Sequence, residues 1–281
     1  MIFYSQAQID QWLLDDIQGG DLTTRALGIG DRQGRMVFQH RQGGCISGLE
    51  VARQMLQRLG LVVELALEDG WVVRPGDTLL IVSGRVDALH QGWKAVQNVL
   101  EWSCGVTRYL FDMLRILRQH VPDGQIACTR KTIPGTKLLA TQAVLAGGGI
   151  IHRAGCAETI LLFANHRHFW ANPDDWRGMV AALRREAPEK TIIVEADNIR
   201  QAEAALAAGP DMVQLDKCPI DDVPAFLARA ARLAPRCRFS LAGGITLDTI
   251  DAWARTGVPL LVTSAPYYAP PADISVRLDP Q

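Results

Sequence analysis

The sequence predicts an α/β protein in two parts, an N-terminal α+β sandwich-type domain and a C-terminal TIM-like α/β barrel that is incomplete or open. Three observations carry this reading. Short apolar runs broken by Gly, Asp and Pro-Gly dominate the first part. From Gln125 onward, strand-length apolar runs alternate with helix-length segments. A long stretch of helical periodicity joins the two. With 48% hydrophobic side chains in 281 residues, the chain can bury a sizeable core, which excludes a disordered or fibrous protein.

The opening MIFYSQAQIDQWLLDDIQGGD carries Asp10, Asp15 and Asp16 where a signal peptide would carry a basic region and an apolar run. No later stretch is long and apolar enough for a membrane span, so a cytoplasmic protein is expected, with no membrane partner. The next segments, RMVFQH, LVVELALEDG and TLLIVSG, read as strands, and Leu49 to Leu59 between them has helical periodicity. From Trp93 to Val121, apolar residues recur at three- and four-residue steps, which predicts one long helix or two consecutive ones at the domain junction.

Beyond the junction come IACT, TILLF, TIIVEA, DMVQL, FSLA and LLVTS, with GGGIIH as a further candidate strand. Alternation with segments such as NIRQAEAALAAG implies parallel βα units, too few for a complete barrel of eight. The expected domains are 1–108 and 109–267, with the tail 268–281 free to return to the first. The net charge of −1 supplies no global field for nucleic acid. Six scattered cysteines (Cys45, Cys104, Cys128, Cys156, Cys218, Cys237) fit neither a zinc site nor a disulfide framework and read as mostly buried, reduced thiols.

In a βα barrel, catalytic groups sit at the carboxyl ends of the strands. Here those ends carry Arg130 and Lys131, His152 and Arg153, Asn165 and His166, Glu195, Asp216 and Lys217, Gly243 and Gly244, and Ser264. Four cationic groups converging on one mouth call for a polyanionic ligand; the alternative is that some are loop cations paired with nearby carboxylates. Glu195 and Asp216 end consecutive strands and suit Mg²⁺ or stabilisation of an oxocarbenium ion, or else serve as ion-pair partners of the cations. Gly243-Gly244, followed by an expected helix from Leu247 to Thr256, offers backbone N–H groups to a phosphate, or is simply a tight turn needing positive φ. His166 and His168 lack an acidic or cysteine partner and are not assigned to a metal.

Thr129-Arg130-Lys131-Thr132-Ile133-Pro134-Gly135, followed by Gly147-Gly148-Gly149-Ile150-Ile151-His152-Arg153-Ala154-Gly155, resembles two blocks of the quinolinate phosphoribosyltransferase family. The resemblance runs nearly the full length, from Gly20-Asp21-Leu22-Thr23-Thr24 through Val194-Glu195, Leu215-Asp216 and Gly243-Gly244-Ile245 to Thr256-Gly257-Val258. It is strongest for the pyrophosphorylase-like members associated with molybdate-transport operons, which share an ending like Val262-Thr263-Ser264-Ala265-Pro266-Tyr267-Tyr268. What the resemblance implies is transfer of a phosphoribosyl group from 5-phosphoribosyl 1-diphosphate to a heterocyclic acceptor, with Mg²⁺, in a homodimer whose sites are shared between subunits. It implies Glu195, Asp216 and Lys131 as catalytic residues, the first two also facing the metal. Lys94, Arg130, Lys131, Lys137, His152 and Arg153 would bind acceptor and phosphates, while Gly243, Gly244, Ser264 and Ala265 would hold the 5-phosphate.

Several positions depart from the family pattern. Lys94 stands for an arginine, and a lysine lacks the bidentate fork that reads a carboxylate. Phe163-Ala164-Asn165-His166 replaces Lys-Asp-Asn-His, exchanging a cation for an apolar or stacking surface. Ser264 replaces a glycine, Lys217 an asparagine and Ser240 a glutamate. An acceptor with one carboxylate or none is therefore expected in place of quinolinate. Two alternatives stay open: a Schiff-base aldolase using Lys217, and a non-catalytic module that binds a nucleotide or anion on the same fold.

Overall fold

The computed structural model describes residues 2–281. The chain packs as two compact units. One comprises the residues up to Phe111 together with Thr132–Gly148 and Pro266–Gln281; the other comprises Asp112–Lys131 and Gly149–Ala265.

In the first unit, Ser5 accepts from Gln8 N and caps helix α1 (Gln6–Ile17), while Asp21 accepts from Thr24 N at 2.7 Å and caps α2 (Leu22–Leu27). Strands β1 (Gln33–His40), β3 (Val62–Ala66) and β5 (Thr78–Arg85), with the C-terminal β13 (Ile274–Pro280), form an antiparallel sheet in the order β13-β1-β5-β3. A two-stranded pair, β2 (Gly44–Cys45) and β4 (Val72–Val73), stands beside it. Met36 and Phe38 lie two apart on one face of β1 and are fully buried, with Val37 between them buried as well. They share a core with Ile9 and Leu13 of α1 and with Leu49, Met55 and Leu56 of α3 (Leu49–Arg58).

Helix α4 (Val86–His120) is a single 35-residue helix that begins in the first unit and ends in the second, so the expected boundary at 108/109 falls inside it. The division also differs from expectation at α5 (Lys137–Ala146), which packs with the first unit and not with the barrel. The reason is its buried face, Leu139, Ala140, Ala143 and Val144, and the bonds beside it. Thr107 Oγ1 donates to Ala143 O at 3.0 Å, and Gln142 Nε2 donates to Asp69 Oδ2 at 3.1 Å.

The second unit holds seven strands: β6 (Gln125–Cys128), β7 (Ile150–Ile151), β8 (Ile160–Leu162), β9 (Ile192–Ala196), β10 (Met212–Asp216), β11 (Arg238–Ala242) and β12 (Leu260–Thr263). Their order is β7-β6-β12-β11-β10-β9-β8, and every neighbouring pair is parallel. The flanking strands β7 and β8 are consecutive in sequence and do not pair, so the barrel is open between them. Ile192, Ile193 and Val194 are buried in succession, the pattern of a strand covered on both faces. Helices α6 (Ala164–Arg167), α7 (Trp176–Glu186), α8 (Ile199–Ala207), α9 (Val223–Leu233) and α10 (Ile250–Ala254) follow the strands; Asp175 caps α7 and Asn198 caps α8.

Helix α10 is shorter than the expected Leu247–Thr256. Thr249 Oγ1 donates to Gly244 O at 3.0 Å and accepts from Thr246 N at 2.9 Å, which holds the chain in a turn before the helix begins. Cys45, Cys104, Cys128 and Cys218 are buried free thiols, as expected, whereas Cys237 is half-buried and Cys156 is exposed. Among the described residues no helix is long and apolar enough to cross a membrane.

Candidate active site

Because the seven strands are parallel, their carboxyl ends open on one mouth, where a cavity of about 570 Å³ lies within the second unit. Its lining brings together Arg130, Lys131, His152, Arg153, Glu195, Asp216, Gly243, Gly244, Ser264 and Ala265. Lys94 and Lys137 are not on that lining and belong to the first unit. Lys94 Nζ donates to Gln97 Oε1 at 2.7 Å and lies 4.2 Å from the centroid of the Trp93 ring; Lys137 is exposed at the start of α5.

Backbone bonds just past the strand ends set these side chains in place. Thr129 N donates to Thr263 O (3.0 Å), His152 N to Cys128 O (2.9 Å) and Lys217 N to Ala242 O (2.8 Å). The sheet pairing is thereby continued one residue into each loop, so the loop residues start from defined positions. Arg130 Nη1 donates to Cys156 Sγ at 2.8 Å, and the backbone N of Ala154 donates to Glu158. Burial lowers the pKa of His152, and the neighbouring Arg153 lowers it further, so the imidazole is held towards its neutral form.

The acidic group at the cavity is joined by a carboxylate from beside its lining. Carboxylate oxygens of Glu195, Asp197 and Asp216 all lie within 4.8 Å of one another, a spacing that three ligands of one divalent cation can meet. Asp197 was not singled out from the sequence, although it stands two residues beyond Glu195 in the same VEADN segment. Burial raises the pKa of Glu195, and the charge of Asp216 raises it further, which a bound cation would relieve. Gln214 is the second residue that sequence reasoning missed. It is 3% exposed, lines the cavity and donates Nε2 to Glu195 Oε2 at 2.8 Å. Its signal was the period of two along MVQLD, which puts it on the same strand face as Asp216.

The glycine pair has a structural requirement of its own. Gly243 (φ +90) passes so close to β10 that a Cβ there would stand 2.8 Å from Lys217 N and 3.0 Å from Asp216 Oδ1. Gly244 (φ +74) meets nothing, so its constraint is conformational only. Near the last strand, Ala265 N donates to Thr263 Oγ1 at 3.1 Å, and that hydroxyl donates to Ile245 O at 2.6 Å. The Ala265 amide therefore already has an acceptor within the protein. Lys217 (φ +55) is the one non-glycine residue among those described with positive φ; its side chain is 79% exposed, with Nζ 3.8 Å from Asp216 Oδ2. That is not the desolvated pocket by which a Schiff-base lysine is activated. Phe163 meets His166 edge-on at 4.3 Å between ring centroids, and neither His166 nor His168 joins a group able to hold a metal among the described residues.

Two family models match the chain. The "Quinolinate phosphoribosyl transferase, N-terminal domain" covers residues 21–104, and the "Quinolinate phosphoribosyl transferase, C-terminal domain" covers residues 106–277. A protein of Escherichia coli O6:H1 that carries the name pyrophosphorylase ModD is 59% identical over 280 residues, 100% of this chain and 99% of its own length. A protein of the same name from Pasteurella multocida is 43% identical over 281 residues, all of both chains. The solved structure of the nicotinate-nucleotide pyrophosphorylase from Francisella tularensis superposes with a TM-score of 0.88 at 23% identity, covering 97% of this chain and 95% of that one, a likeness of fold.

Proposed function

The chain belongs to the quinolinate phosphoribosyl transferase family, and from that premise we propose that it moves the ribosyl 5-phosphate group of 5-phosphoribosyl 1-diphosphate onto a ring nitrogen of a heterocyclic acceptor in the second-unit cavity. The observation that carries this reading is the division of that one cavity into a basic side (the cations Arg130, Lys131 and Arg153, with His152) and an acidic side (Glu195 and Asp216, with the Asp197 carboxylate within 4.8 Å of both). A diphosphate suits the first and an electron-poor ribosyl centre suits the second.

The bond from ribose C1′ to the diphosphate oxygen breaks as the acceptor ring nitrogen forms its bond to C1′, and inorganic pyrophosphate leaves. Arg130, Lys131 and Arg153 hold the anionic groups, and the ionised carboxylates of Glu195 and Asp216 stabilise the oxocarbenium character that develops at C1′. His152, biased towards neutral, orients the acceptor through a hydrogen bond and adds no further positive charge beside the ring. Glu195, Asp197 and Asp216 form a donor set that fits Mg²⁺; when bound, the ion neutralises diphosphate charge. Holding the two reactants together supplies much of the remaining acceleration.

In the same reading the chain works in the cytoplasm, where buried thiols such as Cys104 and Cys128 stay reduced. It acts as a homodimer, and the partner subunit's Lys94 and the partner subunit's Lys137 complete the acceptor site. The phosphate sits against Gly243, Gly244 and Ser264, with backbone amides as its principal donors. The name shared by the two bacterial relatives is the one link to molybdenum, and it bears on the acceptor alone.

The deciding experiment is a thermal-shift titration with 5-phosphoribosyl 1-diphosphate and Mg²⁺, followed by a panel of heterocycles scored for pyrophosphate release. Stabilisation with release for one acceptor supports the transferase and names its substrate. Stabilisation without release for any acceptor would leave a binding module, and no stabilisation would remove the reading altogether.

A further inference from the structure

A second cavity, of about 700 Å³, adjoins the first within the same unit and shares Arg130, Arg153, Leu161 and Phe163 with it. We propose that this annex receives an apolar, ring-sized part of the acceptor, so that the acceptor is a planar heteroaromatic acid with one carboxylate and an apolar extension. The proposal rests on the transferase reading for the acceptor's identity as a substrate, and on the annex alone for its shape.

The geometry of β8 explains why the annex exists. Ile160, Leu161 and Leu162 all line the annex, and Leu161 alone of the three also lines the first cavity, where the two adjoin. No strand pairs with the free edge of β8, since the barrel is open between β7 and β8, and so the space beside it is not filled by backbone. Met179, Ala182 and Leu183 of α7 and the Trp170 ring complete a wall that is largely apolar. The guanidinium groups of Arg130 and Arg153 are at the shared end, and Phe163, edge-on to His166, stands with them. One anionic substituent anchored between Arg130 and Arg153 leaves the remainder of a ligand facing hydrocarbon. A second carboxylate directed into the annex would lose hydration against Leu161, Phe163 and Leu183, and the further guanidinium on the lining, Arg185, is 74% exposed and already donates to Glu186. Thr159 Oγ1, also on the annex lining, is buried and has no hydrogen-bond partner, so a single polar atom on the extension, such as a ring nitrogen or hydroxyl, has a counterpart there.

The test compares two probes on the full-length protein by isothermal titration calorimetry: pyridine-2-carboxylate and its benzo-fused analogue quinoline-2-carboxylate. The expected result is that the larger probe binds at least about tenfold more tightly to the wild type. Ala182→Phe, which fills the annex from a half-exposed helical position, should erase that preference while leaving affinity for the smaller probe unchanged. Leu183→Trp serves as a second filling variant if the first does not fold, and sedimentation confirms that neither changes the oligomeric state. Equal affinity for the two probes, no binding of either, or a preference that survives both filling variants would each overturn the proposal. Pyrophosphate release with 5-phosphoribosyl 1-diphosphate is read separately. Preference without release sinks the transferase reading and keeps the annex, whereas release without preference does the reverse.

Discussion

Gln214 donates its side-chain amide to Glu195 across the β9–β10 pair, in direct register and at 2.8 Å. This bond favours the ionised carboxylate and opposes the burial and the Asp216 charge that push the Glu195 pKa up. Gln214→Leu removes the donor, so the Glu195 pKa rises further and the acid limb of the kcat/KM profile should move to higher pH. Turnover at neutral pH should fall by about tenfold, the scale of a lost hydrogen bond to a charged group. Pre-steady-state or steady-state profiles would check this, and an acid limb that stays in place would uncouple Gln214 from Glu195.

Glu195→Gln should separate catalysis from stability. A carboxyl whose folded pKa lies above its unfolded value disfavours folding once ionised: the penalty is absent below the unfolded pKa and develops as pH rises through the folded one. The amide carries no such penalty. At pH 7 and without ligands the variant should therefore melt higher than the wild type, yet lose about a hundredfold or more in turnover. A variant that is both less stable and fully active would refute both halves.

Divalent cation binding should depend on all three carboxylates. Mg²⁺ alone should raise the melting temperature of the wild type and not that of Asp216→Asn or Asp197→Asn, because removing one of three closely spaced ligands removes most of the charge-driven affinity. Chelation should abolish pyrophosphate release, with recovery on adding Mg²⁺ back. Equal thermal shifts in all three proteins would place the ion elsewhere.

The proposed homodimer with shared sites makes a quantitative prediction. Lys94→Glu and Glu195→Gln should each be inactive alone, one spoiling the acceptor site and the other the transfer step. Random mixing of the two subunits should restore about a quarter of wild-type activity, because half of the dimers carry one intact site. No recovery, with mixed dimers demonstrated by mass spectrometry, would confine each site to one subunit.

Ile274 is 1% exposed on β13, the strand that flanks β1 in the first unit. Ile274→Ala should cost about 2–5 kcal/mol by leaving a cavity in that core. Chemical denaturation would measure it, and a change below the lower bound would mean that the strand pairing survives by local collapse.

Much of the architecture was readable along the chain. Apolar runs alternating with helix-length segments marked six of the seven parallel strands, with GGGIIH a candidate for the other, and chain direction alone put Arg130, His152, Glu195 and Asp216 at their carboxyl ends. Other features could not be read this way. Asp197 looks like a solvent-facing loop acid until β9 and β10 pair and bring its carboxylate within 4.8 Å of Glu195 and Asp216. Helix α5 lies between two barrel strands in sequence, and only the burial of Leu139, Ala140, Ala143 and Val144 assigns it to the first unit.

The division has a physical origin. Strand and helix periodicity, caps such as Ser5, Asp21 and Asn198, and the order of side chains past each strand arise from interactions over a few residues, and local patterning encodes them fully. The convergence of three carboxylates, the burial that shifts Glu195 and His152, and the apolar annex beside the unpaired edge of β8 depend on register and on which edges remain unpaired. Those are properties of contacts between residues far apart in the chain, and they come into being only when the strands assemble into the open barrel.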